Sequence, residues 1–244
     1  PTTGDEGESL NYVGSATDPG GDTFTYAWSF GDGTNATGSN VSHTFLDEGT
    51  YVVTLTTEDD DGGIDTAAQS VAISNVNPTI DTMVLPTANL NEGSSLAFTS
   101  TASDLGILDV LSYSWAFGDG TTSSSQNPVH TYADEGTGSF TVTLTVTDGD
   151  GGSATQSGTI AFANVNPVVA SISGPTAGNE AHTLAWTSSA TDVGINDTLT
   201  YTWDFGDGSS AAGTGATHAF QQDGTYTVTF TATDNDGGAD STSI

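Results

Sequence analysis

Large apolar residues alternate with polar ones at a spacing of two, and the same alternation comes round three times. One inward pair is Leu10/Tyr12, repeated as Leu96/Phe98 and Leu184/Trp186. A second set is Tyr26/Trp28/Phe30, repeated as Tyr113/Trp115/Phe117 and Tyr201/Trp203/Phe205. A third is Tyr51/Val53/Leu55, with Phe140/Val142/Leu144/Val146 and Tyr226/Val228/Phe230. A period of two places each set on one face of a strand. Threonine fills outward slots, as at Thr141, Thr143, Thr145 and Thr147, which suits a solvated β face. No stretch of ten or more residues carries a helical period. Short strands with turn signals every eight to twelve residues or so predict an all-β sandwich in each repeat.

The repeat length decides the domain organisation. Trp28, Trp115 and Trp203 stand 87 and 88 residues apart, too long for a solenoid unit and right for one small domain each. Asn75-Val76-Asn77-Pro78 and Asn164-Val165-Asn166-Pro167 mark two junctions, because a proline after a strand-like run stops pairing and stiffens the crossing. Three domains are expected at 1–77, 78–166 and 167–244. Linkers this short predict a rod rather than beads on a string. Pro1-Thr2 matches Pro86-Thr87 inside the second repeat, and Ile244 precedes the place of a third Asn-x-Asn-Pro. A segment of a longer protein is therefore expected, with the first strand of repeat 1 and the last strand of repeat 3 incomplete.

Each aromatic strand runs into Phe-Gly-Asp-Gly, around Asp32, Asp119 and Asp207. His43-Thr44-Phe45, His130-Thr131-Tyr132 and His218-Ala219-Phe220 follow, and then Gly49-Thr50-Tyr51 or Gly224-Thr225-Tyr226. Repeat 2 is two residues longer there, reading Gly136-Thr137-Gly138-Ser139-Phe140. In these motifs the chain resembles the polycystic-kidney-disease (PKD) domain, in three tandem copies that cover almost all of it. The resemblance implies an immunoglobulin-like seven-strand sandwich. It also implies an extracellular or cell-surface setting, since such domains occur in surface layers, adhesins and secreted hydrolases. It implies no single function.

Charge narrows the chemistry. The 244 residues include 31 Asp and Glu but no Lys, Arg or Cys, a formal charge of −31. Nucleic acid and anionic lipid are excluded as partners, because both are gripped by basic side chains. No apolar run is long enough for membrane insertion. Disulfides, Lys–Asn cross-links and side-chain salt bridges are excluded too. Domains this small bury little area and gain from a staple, which leaves a bound metal.

The acids recur in register. Asp59 and Asp61 match Asp148 and Asp150, and then Asp234 and Asp236, each first member lying eight residues beyond Tyr51, Phe140 or Tyr226. Asp18, Asp104 and Asp192 lie eight residues after Leu10, Leu96 and Leu184, and Glu6, Glu92 and Glu180 lie four before them. In an immunoglobulin-like topology these three segments are expected to meet at one end of the sandwich. The Asn75/Asn77 or Asn164/Asn166 stretch of the preceding repeat enters at that end. Such a hard-oxygen cage predicts Ca²⁺, with its six to eight oxygen ligands. Zinc has no Cys or paired His here, and magnesium holds its waters. The arrangement resembles the logic of cadherin linkers, where calcium stiffens a junction. It is not an EF-hand, since Ser70 and Thr159 stand where a glutamate would close the loop.

The Gly-Asp-Gly turns read instead as hairpin chemistry, glycine giving positive φ and aspartate a local hydrogen bond. The tryptophans, Trp186 included, read as core. Every candidate acid is triplicated and no nucleophile–base order appears, so the segment is not expected to be an enzyme. Asn35, Asn40 and Asn196 begin Asn-x-Ser/Thr triplets and are candidate glycosylation sites. The function expected is mechanical: a calcium-stiffened rod or fibre subunit whose partners are neighbouring repeats or subunits end to end. The alternative is an adhesin or accessory module of a secreted hydrolase that recognises polysaccharide or protein.

Overall fold

The computed structural model describes residues 1–88, 90–133 and 138–244, all of it strands, turns and connections. The two extra residues expected at Gly136-Thr137 lie outside the described residues. Among the described residues there is no helix, and the all-β reading holds.

Repeat 1 shows how the pattern becomes structure. Its main sheet orders the strands Thr3–Asp5, Ile64–Ser74, Gly49–Asp59, Phe24–Ser29 and Asn35–Thr37. Ser9–Val13 and Asn40–Thr44 pair antiparallel to form the opposing layer. Repeat 2 builds the same main sheet from Thr122–Ser123, Ser112–Ala116, Ser139–Thr147 and Ser153–Ala161. Repeat 3 uses Ser210–Ala212, Thr200–Asp204, Thr229–Thr233 and Ala239–Ser243. The outward threonines pair across the ladder, Thr143 with Ser157 at 2.9 Å and Thr145 with Thr155 at 3.4 Å.

The inward sets fill three separate cores, one per repeat, between the two layers of each sandwich. Trp115 and Trp203 are fully buried, and the indole N–H groups of Trp28, Trp115 and Trp203 reach backbone carbonyls of Gly38, Gln126 and Gly213. Trp186 is buried as well and donates to Pro175 O at 3.1 Å.

The Gly-Asp-Gly turns close against this core. Gly31 has φ of 85°, and a Cβ there would meet the Val52 carbonyl oxygen at 2.8 Å, so no other residue fits. Asp32 Oδ1 accepts from the Thr34 N–H at 2.9 Å and its hydroxyl at 2.6 Å. Asp32 Oδ2 meets His43 Nε2 at 2.7 Å, and His43 stacks on Phe30 with centroids 3.9 Å apart. The same set recurs at Asp119/His130/Phe117 and Asp207/His218/Phe205. The expectation that side-chain ion pairs are excluded is thus corrected, because histidine supplies a cation when protonated.

The long hairpin of Gly49–Asp59 and Ile64–Ser74 separates the two ends of repeat 1. At 11 residues a strand it spans roughly 35 Å. At one end the Asp59 N–H donates to Gly63 O and the Gly62 N–H to Asp59 O, closing the turn, while Gly49, Ser74 and Asn75 lie at the other.

Candidate metal centres between successive repeats

The backbone places the acids of each junction before any side chain is considered. Thr3–Asp5 runs parallel to Ile64–Ser74, and the Glu6 N–H donates to Ser74 O at 3.1 Å. Glu6 therefore sits beside Asn75, at the opposite end of repeat 1 from Asp18 and Asp59. Glu6 is fully buried although nothing basic is near it. Its Oε1 accepts the Val76 N–H at 2.7 Å, and its Oε2 has no partner.

Repeat 2 supplies what faces it. Asp104 follows the strand Thr99–Ser103, Asp148 follows Ser139–Thr147, and Asp109 lies in the loop between Asp104 and Leu111. Oxygens of Asp104, Asp109 and Asp148 lie within 4.8 Å of one another, and so do oxygens of Glu6, Asp47, Glu48 and Asp109. Asp104 Oδ2, Asp109 Oδ2 and Asn75 Oδ1 are also buried without a hydrogen-bond partner. Gly106 makes room for this convergence, because a Cβ there would lie 2.5 Å from both Glu6 Oε2 and Asp109 Oδ2. Gly152 does the same beneath Asp148, where a Cβ would meet Asn77 Oδ1 at 2.8 Å and Asn75 Nδ2 at 3.1 Å.

The second junction repeats the geometry. Glu92 is 2% exposed, its Oε1 accepts the Val165 N–H at 2.8 Å, and its Oε2 is unpartnered. It lies with Asp192 and Asp197, within the same 4.8 Å. Asn164 donates to Asp234 Oδ2 at 2.9 Å, and Asn166 Oδ1 crowds the same glycine, Gly238. The Ile195 N–H donates to Ala133 O at 2.9 Å, fastening repeat 3 to repeat 2.

Electrostatics follows from burial without countercharge. Desolvation pushes the Glu6 carboxyl up from its ordinary value; the Val76 N–H opposes the shift, and repulsion from Asp104, Asp47 and Asp148 adds to it. Desolvation, then Glu6, Asp150 and Asp104, raises Asp109 to about 6. The adjoining Asp47 carboxyl, then desolvation, pushes Glu48 up to about 7. Asp148 is desolvated as well, but the Asn75 amide and the N–H groups of Asp150, Gly152 and Gly151 hold it below the usual carboxylate range. Asp234 is lowered in the same way by Asn164 and the turn from Asp236 to Gly238.

These donors fit a hard cation. Every group free to ligate offers oxygen, since the Asn75 and Asn164 amide nitrogens donate to Asp148 and Asp234, and the histidines of the Gly-Asp-Gly turns are engaged elsewhere. Acceptor-only oxygens that are buried and unpartnered cost free energy unless a cation or a proton meets them.

The expected ligand sets need regrouping. Glu6 and Glu92 do not join the expected aspartates of their own repeats, Asp18/Asp59 and Asp104/Asp148; each meets aspartates of the next. Glu180 is exposed. Asp18 and Asp59 lie together with Asp22 at the other end of repeat 1. Asp61, Asp150 and Asp236 are exposed, their backbone N–H groups capping Asp59, Asp148 and Asp234. Asn35, Asn40 and Asn196 are exposed.

Two groups of acids escaped the sequence reading. Asp109 and Asp197 close Asp104-Leu105-Gly106-Ile107-Leu108-Asp109 and Asp192-Val193-Gly194-Ile195-Asn196-Asp197, a recurrence that was there to be seen. Asp47-Glu48-Gly49 likewise recurs as Asp134-Glu135-Gly136, which lies outside the described residues.

A family model for the PKD domain matches residues 1–74, 75–162 and 164–244. The chain belongs to the PKD domain family. This PKD array is 32% identical over 109 residues to the pre-pro-metalloprotease PrtV of Vibrio cholerae, 43% of this chain and 11% of that protein. It is 38% identical over 72 residues to a microbial collagenase of Vibrio alginolyticus, 29% of this chain and 9% of the other. The chain thus spans about a tenth of the length of these relatives. Among solved structures, the PKD1 domain from Vibrio cholerae PrtV is 35% identical, with 36% of this chain and 98% of that chain covered and a TM-score of 0.30. Among the described residues no helix is long and apolar enough to cross a membrane.

Proposed function

We propose that the three PKD repeats form a non-catalytic extracellular spacer, a rod whose junctions are stiffened by Ca²⁺. One observation carries this reading. At both junctions a buried glutamate of one repeat aims an unpartnered oxygen at aspartates of the next. A cation there converts repulsion between domains into attraction, so its binding energy becomes stiffness and folding energy. Glu6, Asn75, Asn77, Asp104, Asp109 and Asp148 would hold it at the first junction. Glu92, Asn164, Asn166, Asp192, Asp197 and Asp234 would do so at the second. The rod would join neighbouring repeats or subunits end to end.

The likeness to stretches of a collagenase and a metalloprotease favours a second reading, an accessory array beside a secreted hydrolase. Leu105, Ile107, Leu108 and Val110, each more than half exposed, would then be its contact surface. The two readings share the spacer and differ in what it carries.

Small-angle scattering and a thermal melt, in millimolar calcium and then in excess chelator, test the rod. Calcium should lengthen the particle and raise the melting temperature by on the order of 10 °C, the scale of a few kcal/mol of ligand linkage in domains this small. Curves that ignore calcium would remove the junction sites and leave the accessory reading.

A further inference from the structure

We propose that the first junction takes two divalent cations, bridged by Asp109, rather than one. The inference rests on the calcium reading above and assigns a further site to Asp47 and Glu48, in the loop that leads from Asn40–Thr44 into Gly49–Asp59.

Two oxygen clusters meet at this junction and share one residue. The inner cluster is Asp104, Asp109 and Asp148, all from repeat 2. The outer cluster is Glu6, Asp47 and Glu48 from repeat 1 with Asp109 from repeat 2. Asp109 alone belongs to both, and a carboxylate has two oxygens with which to serve two ions.

The outer cluster is more than an acidic patch. Glu6, fully buried, turns its unpartnered Oε2 into it, and Glu48 Oε2 is likewise buried and unpartnered. Gly106 is buried between Glu6 and Asp109, where any side chain would displace their oxygens. The backbone also fixes Asp47 and Glu48 in place, since their carbonyls accept the Tyr51 hydroxyl at 2.9 and 3.4 Å. Four carboxylates gathered without a basic residue carry more negative charge than one divalent ion offsets, and two more carboxylates of the inner set, Asp104 and Asp148, lie alongside. Two ions bring the charges of Glu6, Asp47, Glu48, Asp104, Asp109 and Asp148 from six negative to two.

The consequence is mechanical. The inner ion completes the top of repeat 2 and reaches repeat 1 through Asn75 and Asn77. The outer ion ties the Asp47–Glu48 loop of repeat 1 directly to repeat 2, so it governs bending.

Equilibrium dialysis of the whole chain against radioactive calcium, with the fold checked by circular dichroism, counts the ions. Asp47→Asn/Glu48→Gln, at half-buried positions, should lower the count by one. Asp148→Asn should lower it by one, and Asp109→Asn by two. A count unchanged by Asp47→Asn/Glu48→Gln, in a chain that otherwise binds, overturns the second ion and leaves the single-ion junction standing. Absence of binding to the unaltered chain overturns both.

Discussion

Asp32 and Glu6 are both acids of repeat 1, one on an exposed turn and one fully buried, and the protein treats them in opposite ways. At Asp32 each oxygen has a partner, the Thr34 N–H and hydroxyl on one side and His43 on the other. Although burial pushes its carboxyl up, these partners leave it below the ordinary value. At Glu6 a single backbone N–H serves one oxygen, the other meets only carboxylates, and the group is held above its ordinary value. Asp32 is satisfied from within its repeat. Glu6 can be satisfied only by something that also satisfies its neighbour in the next repeat. The same residue chemistry thus separates a structural turn from a site, and the difference is the origin of the donors.

Substitution should break this comparison most sharply. Asp32→Asn removes a charge-assisted contact to His43 and is expected to destabilise repeat 1 by about 1–2 kcal/mol, equally in calcium and in chelator. Glu6→Gln keeps the acceptor for Val76 but removes a charge. In chelator it relieves repulsion and should leave the melting temperature unchanged or higher. In calcium it removes an anionic ligand, and a tenfold loss of affinity corresponds to about 1.4 kcal/mol. Calorimetry of both variants in both buffers reads the crossing; a Glu6→Gln chain weakened equally in both buffers would make Glu6 an ordinary buried polar group.

Acidity sharpens the contrast on a smaller scale. Asp109 and Glu48 have folded values raised to about 6 and about 7, from ordinary values of 3.8 and 4.5. A raised carboxyl binds more protons in the folded chain than in the unfolded one across that interval, so stability falls as pH rises through it. In chelator the melting temperature should therefore decline between about pH 4 and pH 7, and calcium should flatten the decline by replacing the protons. Asp207 behaves with the opposite sign. Its folded value is lowered to about 2, chiefly by the Ser209 hydroxyl and N–H and further by His218. Its contribution is present above about pH 4 and is lost as pH falls toward 2.

The sequence made the sandwich legible because alternation of period two needs no long-range information. Leu96, Phe98, Trp115, Phe117, Val142, Leu144 and Val146, all read as inward, are all buried. The site was legible only in part. Aspartate after a strand and asparagine before a proline could be placed in register, but which end of the sandwich receives the glutamate depends on the parallel pairing of Thr3–Asp5 with Ile64–Ser74. That pairing is a tertiary fact, and it moves Glu6 by the length of a hairpin. Asp109 escaped for a different reason. Repeat 1 has Asp18-Pro19-Gly20-Gly21-Asp22, one residue shorter, so the second acid falls out of register with those of the other repeats.

The smallest effect expected is also the one that separates recurrence from function. Asp61 and Asp236 recur as regularly as Asp59 and Asp234, and regularity alone made them ligand candidates. The structure turns both to solvent, where they contribute their backbone N–H to Asp59 or Asp234, a contribution any residue but proline makes. Asp236 further accepts from Asn235 at 2.7 Å, an exposed contact. Asp61→Asn and Asp236→Asn should therefore shift stability by less than about 0.5 kcal/mol and leave calcium affinity unchanged. Asp234→Asn in the same background should weaken binding clearly, since Asp234 is buried beneath Asn164 and Asn166. Calcium titrations of the three variants decide it. Equal losses from Asp236 and Asp234 would mean that the ion sits farther out on the turn than the buried oxygens place it, and that burial is a poorer guide to these ligands than sequence register.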